Sequence, residues 1–301
     1  MSLLVTGTIG MDTVETPHRR VDDVLGGSAV YFSFAAGLLH PVRLVGAVGD
    51  DFPQTFRDLF EGHPIDTVGL ETRSGSKTFR WHGKYLNDMN ERESLRTDLN
   101  VVGEKPPVIP EAFQDSAYVF LANTHPAVQS EFIRQLKSPK LIVCDTMDLW
   151  IKEFRDDLIK TLGAVHGVVL NDGEARMLTD RHDLIQAGRE VLKLGPQFVV
   201  IKKGEHGAML VTPKEQIVMP AYPTSEVVDP TGAGDCFAGG MMGHLAALDR
   251  IDPSSLKTAI AYGTCVASIN IEGFSLDALR QADRKALDSR LAHYKAMLAF
   301  D

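Results

Sequence analysis

Short runs of consecutive apolar residues alternate along this chain with stretches in which apolar positions recur every three or four residues. Leu3–Thr8, Val42–Val48, Ala117–Leu121, Leu141–Cys144, Val165–Leu170 and Phe198–Ile201 are of the first kind. They are short and rich in Val, Ile and Leu, as strands buried on both faces are. Ser28–Leu39 and Phe52–Phe60 have helical spacing, and the later runs are each followed by a polar turn and a helical pattern. Strands alternating with helices predict a mostly parallel sheet covered on both faces. From Gly234 onward the pattern is helical almost throughout, over 234–248, 254–271 and 276–298.

Two stretches break the rhythm. Thr13–Asp23 and Thr78–Val102 are polar and alternating, without a helical period. Either can add strands to a small extra sheet, and strands beside the mouth of an α/β sheet commonly act as a lid. The expected architecture is a single domain over 1–301, an α/β/α sandwich with lid segments at about 13–25 and 76–102.

Composition narrows the partners. The net charge is −9 and no block of Lys or Arg occurs, so the clustered basic face that nucleic acid needs is not expected. Cys144, Cys236 and Cys265 are an odd set without close pairs. That is neither a disulfide framework nor a zinc site, and it suits a reducing cytoplasm. The N-terminal residues do not read as a signal peptide, and no apolar run approaches the ~20 residues of a membrane helix. An acidic chain can still bind an anion where backbone N–H groups supply local positive potential.

In open α/β sheets ligands sit beyond the carboxyl ends of the strands, so residues that follow strand-like runs are the candidates. The strongest signal runs from Asp229 through Pro230, Thr231, Gly232, Ala233, Gly234 and Asp235 to Gly240, after the strand-like Ser225–Val228 and into a long helix. Gly232, Ala233 and Gly234 let a ligand approach N–H groups at a helix start, where they are unpaired and the macrodipole is positive. Asp235 places a carboxylate inside the same turn. A glycine-rich helix start is by itself most often structural, with Gly239-Gly240 allowing close helix packing. The carboxylate within the anion site favours chemistry, because a structural helix start does not require it. The helix N-terminus is expected to hold that carboxyl below its ordinary value of ~3.9.

These residues resemble the C-terminal signature of the ribokinase-like carbohydrate kinase family, also called the phosphofructokinase-B family. The similarity extends along nearly the whole chain, through Gly7 to Asp12, Gly26-Gly27, Val45 to Phe52, Asn171 to Glu174 and Lys202 to Gly207. It implies a ribokinase-like fold and an ATP-dependent kinase that phosphorylates a hydroxyl of a small sugar or nucleoside. By this resemblance Asp235 takes the hydroxyl proton, and Gly232, Ala233 and Gly234 form the anion hole. Asp12, Gly26, Gly27, Tyr31 and Asn123 are the implied substrate residues. Asn171, Lys202, Gly204, Gly207 and Thr231 are the implied nucleotide residues. Asn171 and Glu174 would hold Mg²⁺ largely through water, and Asp229 a monovalent cation such as K⁺.

Blander readings stand beside these. Asn171 and Glu174 have the spacing of a capping box, Lys202 reads equally as a solvated strand end, Cys236 as a small buried residue and His125 as a surface residue. Gly75-Ser76-Lys77-Thr78 lacks the upstream glycine of a phosphate-binding P-loop. A catalytically silent metabolite-binding protein is the alternative within the same fold. A dinucleotide oxidoreductase would need a G-x-G-x-x-G that Gly7-Thr8-Ile9-Gly10 does not supply.

One departure bears on the substrate. Where many sugar kinases of the family have an Asn, this chain has Tyr31. The segment Phe79, Trp81, His82 and Tyr85 adds rings that could stack on a nucleobase or form the dry seam of a lid dimer. The expectation is a nucleoside acceptor and a monomer or lid-mediated homodimer.

Overall fold

In the computed structural model, which describes residues 1–86 and 89–299, every run expected to form a strand contains one, apart from Ser225–Val228. Residues 87 and 88, inside the expected lid segment 76–102, and residues 300 and 301 lie outside the described residues. Along the chain come β1 (Leu3–Thr6), β2 (Gly10–Glu15), β3 (Arg20–Gly26), α1 (Ser28–Gly37), β4 (Val42–Gly49), α2 (Gln54–Asp58), β5 (Ile65–Arg73), β6 (Phe79–Tyr85) and β7 (Arg92–Asp98). The middle carries β8 (Tyr118–Leu121), α3 (Pro126–Gln135), β9 (Leu141–Asp145), α4 (Asp148–Glu153), α5 (Arg155–Leu162), β10 (Gly167–Asn171), α6 (Asp172–Thr179) and α7 (Leu184–Leu192). The last part is β11 (Phe198–Lys202), β12 (Ala208–Val211), β13 (Gln216–Met219), α8 (Ala233–Leu248), α9 (Pro253–Asn270), α10 (Asp277–Gln281) and α11 (Arg284–Leu298).

The strands β5-β4-β1-β8-β9-β10-β11 lie side by side in parallel, and β12 and β13 extend the sheet antiparallel beyond β11. Leu3 and Val5 point into a core shared with α1, α8, α9 and α11, while Leu4 points into a second core under α3, α5, α6 and α7. Alternate residues thus meet helices on both faces, which is why these strands read as unbroken apolar runs. The carboxyl ends of the parallel strands form one rim.

The small sheet hangs over that rim because only three residues, Gly7 to Ile9, separate β1 from β2. Its order is β3-β2-β6-β7, with β2 parallel to β6 and the other two pairs antiparallel. Both polar segments that broke the helical rhythm supply its strands.

On one face of the large sheet, α8 is pressed between α1 and α9 through glycines. A Cβ on Gly239 would lie 2.5 Å from the carbonyl oxygen of Phe32, and one on Gly240 would lie 3.0 Å from Cα of Gly263. This fixes the helix that begins at the signature loop.

The structure corrects four expectations. Ser225–Val228 forms no strand; prolines 223 and 230 flank it, and the N–H groups of Val228 and Asp229 both donate to the Ile271 carbonyl at the end of α9 (2.7 and 3.3 Å). β11 leads into the β12-β13 hairpin rather than a helix, through a turn with left-handed Gly204 and positive-φ Gly207. The stretch 276–298 is two helices, because Asp283 caps α11 by accepting from Ala286 N–H. Helix α2 covers only five residues of 52–60.

Gly239→Ala should cost about 1–3 kcal/mol, since a methyl group must push α1 and α8 apart. Urea unfolding measures it; an unchanged midpoint would show that the two helices are not in close contact there.

Candidate active site

The loop before α8 is held on three sides. Asp229, only 1% exposed, accepts from the N–H of Thr231 (2.9 Å) and from the N–H of Ser275 (3.1 Å). The Thr231 hydroxyl donates to the Tyr85 hydroxyl on β6 (3.2 Å), and its carbonyl accepts from the Asn270 amide at the end of α9 (2.8 Å). Gly232 then caps α8 at φ 74°, a left-handed conformation that favours glycine. A Cβ there would also lie 2.3 Å from the Tyr31 ring. The N–H of Ala233 donates to the Pro230 carbonyl (3.1 Å), so it can reach an anion only by releasing that bond.

Asp235 lies in the first turn of α8. Lys202, at the end of β11, reaches the same turn: a Cβ on Gly234 would be 2.8 Å from its Nζ. It is therefore not merely a solvated strand end. Burial pushes the Asp235 carboxyl up to about 6, against the opposing charges of Lys202 and Arg92. That reverses the lowering expected from the helix N-terminus: removal from water outweighs the dipole here.

Asp145 ends β9 and joins this group, buried with its Oδ1 unpartnered. Burial raises it well above the carboxylate range; the Asp235 charge adds to that and Lys202 opposes it. Glu174 on α6 is raised by burial and pulled back by Lys202. Asn171 and Glu174 form a complete capping box, Glu174 N–H to Asn171 Oδ1 (2.8 Å) and Asn171 N–H to Glu174 Oε2 (2.7 Å). Among the described residues no three His, Cys, Asp or Glu side chains cluster as a metal cage.

The acceptor side is built from β2, β3 and α1. Asp12 on β2 is buried, and the Cβ that Gly26 lacks would lie 1.9 Å from its Oδ2. Gly27, at φ 100°, turns the chain from β3 into α1. Burial pushes Asp12 up to about 7; Gly27 N–H opposes this and the Asp229 and Asp235 charges add to it. Asp12 Oδ1 and the Tyr31 hydroxyl are both buried without a hydrogen-bond partner. Tyr31 is 1% exposed beneath Gly232, so its ring offers no open face for stacking and only its hydroxyl can serve a substrate.

Other expected residues sit in supporting places. The Asn123 amide oxygen accepts from the Trp150 indole N–H (2.8 Å) and its nitrogen donates to Met147 Sδ (3.2 Å), so the side chain braces the start of α4. Gly204 and Gly207 shape the turn beside Lys202; a Cβ on Gly207 would meet the Met219 carbonyl at 2.0 Å. His125 caps α3 by accepting from Ala127 N–H (3.1 Å), and Cys236 is fully buried.

On the small sheet, Trp81 pairs in register with Asp12 and Tyr85 with Arg92, so these side chains share the face that meets the site. The Arg92 guanidinium lies over the Trp81 ring (5.3 Å), and the indole N–H donates to Ser94 (3.1 Å). His82 turns the other way, to Glu15 (2.8 Å), on a face with the further ion pairs Arg20–Glu15 and Arg96–Asp98. Tyr85 is bound to Thr231 and Phe79 packs on Gly10, so these two rings are engaged within the chain.

Comparison with known proteins decides the family. The model of the pfkB family carbohydrate kinases matches residues 11–281. The chain belongs to this family. It is 30% identical over 249 residues to a cytidine kinase of Thermococcus kodakarensis, covering 80% of this chain and 87% of that one. It is 25% identical over 308 aligned positions to an inositol 3-kinase of Oryza sativa, covering 96% and 75%. A crystal structure of aminoimidazole riboside kinase from Salmonella enterica superposes with a TM-score of 0.78 at 19% identity, covering 97% of this chain and all of the other. This pfkB kinase has the ribokinase fold and is an ATP-dependent phosphotransferase whose acceptor is an alcohol group of a small sugar or nucleoside.

Sequence reading missed Asp145, Arg92 and the Tyr85–Thr231 bond. Asp145 directly follows the strand-like Leu141–Cys144, so the rule that chemistry follows strands could have found it. Arg92 had no comparable signal, being one of several charged residues in a polar segment.

Because Asp12 titrates near 7 in the fold and near ~4 unfolded, the folded pfkB kinase binds a proton there that the unfolded chain has released. Its stability therefore falls as pH rises from ~4 to about 7 and falls no further above that. Asp12→Asn should melt a few degrees above the parent at pH 8, with the difference vanishing near pH 4. A lower Tm for the variant at pH 8 would show the ionised carboxylate to be stabilised instead.

Proposed function

We propose that this pfkB kinase transfers the γ-phosphate of ATP to the 5′-hydroxyl of a nucleoside. The observation that carries it is a pair of buried, unpartnered oxygens, Asp12 Oδ1 and the Tyr31 hydroxyl. An unpaired buried polar group costs ~1–3 kcal/mol, which a vicinal pair of ribose hydroxyls would recover. A free sugar needs polar partners all round, whereas a nucleoside needs them only around its ribose. Similarity to a cytidine kinase supports the reading.

Asp235 orients the attacking hydroxyl and takes its proton late. Raised to about 6, it is ionised at pH 7 yet less mismatched to that proton than an ordinary aspartate. In a loose phosphoryl-transfer transition state, orientation is its larger contribution. The N–H groups around Gly232 and Gly234, with Lys202 beside them, stabilise charge on the transferring phosphoryl group. Arg92 adds positive charge from the small sheet, which acts as a lid.

Mg²⁺ fits the donors present: Asp145 Oδ1 is buried and unpartnered, and Glu174 keeps its second carboxylate oxygen beyond the capping box. When bound, it neutralises phosphate charge, largely through water, as Mg²⁺ prefers. Asp229 and the unpartnered Asn270 Oδ1 are the oxygens that would take a monovalent cation.

A coupled assay over nucleosides, ribose, fructose and inositols tests the acceptor. Nucleosides should be used at least tenfold more efficiently; efficient use of a sugar or inositol with every nucleoside ignored would overturn the acceptor class. Asp235→Asn should bind both substrates and lose ~10²-fold or more in turnover. Near-normal turnover in a folded variant would remove Asp235 from its role.

Glu174→Gln keeps the capping box, since Gln serves at that position, so Tm should hold. The Mg²⁺ concentration for half-maximal rate should rise severalfold. An unchanged Mg²⁺ dependence would make the residue purely structural.

A further inference from the structure

Three aromatic rings stand outside both hydrophobic cores, at the carboxyl ends of β8 and β9. Trp150 and Phe154 belong to α4 and its end, and His125 precedes α3. Their ring centres are 4.3 to 5.7 Å apart, all at tilted or edge-on angles. Trp150 is half-buried, and its one polar atom is committed to Asn123 Oδ1 at 2.8 Å. Asn123 is tied in turn to the acceptor cradle, because its carbonyl accepts from the Ser28 hydroxyl (3.3 Å). Ser28 directly follows Gly27, and α4 leaves β9 just after Asp145. A continuous set of bonds therefore runs from the glycines that enclose Asp12 to the plane of this indole.

The arrangement is more than packing requires. An aromatic group set into a core would lose its solvent-facing edge, yet these rings stay partly open, and Phe154 is 39% exposed. The Asn123 amide spends one acceptor on the indole N–H and one donor on Met147 Sδ, which together fix its plane. Asn123 thus holds a flat, apolar ring at the strand ends beside the turn that carries the acceptor glycines.

We propose that Trp150 is the wall on which the acceptor's base lies, and that Asn123 is a positioning residue that fixes the indole plane. This rests on the nucleoside reading above. Stacking tolerates any base because each has a π-face, so the wall selects nucleosides over free sugars while discriminating weakly between purines and pyrimidines.

The chain has two tryptophans, so Trp81→Phe leaves Trp150 as the sole indole reporter. Cytidine, adenosine, inosine and ribose are titrated into this variant without ATP while its emission is followed, and turnover of each is measured in parallel. The expected result is a saturable change in Trp150 emission with nucleosides and none with ribose. In the otherwise native chain, Trp150→Leu should raise the KM for nucleosides about 5- to 150-fold, the equivalent of one stacked base. It should leave the KM for ATP unchanged, and Trp150→Phe should restore most of the loss. Asn123→Ala should raise the nucleoside KM severalfold without lowering kcat.

Turnover of a nucleoside by the Trp81→Phe chain with silent Trp150 emission overturns the wall and leaves the nucleoside reading standing. If ribose is turned over and no nucleoside is, both fall. Should Trp150→Leu fail to fold, the emission titration still decides.

Discussion

Asp229 accepts one backbone N–H from Thr231, two residues ahead, and another from Ser275, forty-six residues ahead, and much of the site depends on that pair of bonds. Ser275 also donates its hydroxyl to the Leu25 carbonyl (2.8 Å), one residue before the Gly26 that encloses Asp12. A buried carboxylate therefore couples the anion loop to the acceptor carboxylate across elements far apart in sequence. It stays buried because each of its oxygens is satisfied, as a charge taken out of water must be. The glycine-mediated packing of α8 against α1 and α9 completes the constraint, since a loop held firmly before a loosely packed helix would not place Asp235.

Charge within the site is unbalanced toward acid. Asp12, Asp145, Glu174 and Asp235 are all raised by burial, with Lys202 and Arg92 as the cations that recur among the opposing influences. Such a concentration lowers the stability of the fold and persists where function requires it. ATP adds further negative charge, so a divalent cation arriving with the nucleotide is the simplest way to restore balance. The same argument explains why the donors left unsatisfied here are hard oxygens.

Much of this was legible from the residues. The sheet was readable because both its faces are covered, which turns each strand into an apolar run. The signature at Asp229 to Asp235 was readable because a carboxylate inside a glycine-rich helix start has little structural reason to be there. Contacts across long sequence separations were not readable. Thr231 with Tyr85, Asp229 with Ser275 and Trp150 with Asn123 join residues whose neighbours in sequence carry no sign of the pairing. The burial of the Tyr31 ring was unreadable for a related reason. Its position marked it as an acceptor residue, but only the close approach of Gly232 shows that its ring is covered.

The Tyr85–Thr231 bond also bears on how the small sheet works. A lid that touched only substrate would be free to swing until substrate arrived. Here one strand of the sheet is bonded to the phosphate-side loop itself, and Tyr85 pairs in register with Arg92. Any movement of that strand must either carry the anion loop along or break a buried bond between two hydroxyls, worth ~1 kcal/mol net. That is little enough to allow opening. It is also enough to favour a position in which Arg92 adds its charge beside Asp235. Acceptor-side and phosphate-side residues, Asp12 on one strand and Tyr85 on another, thus belong to the same four-stranded sheet.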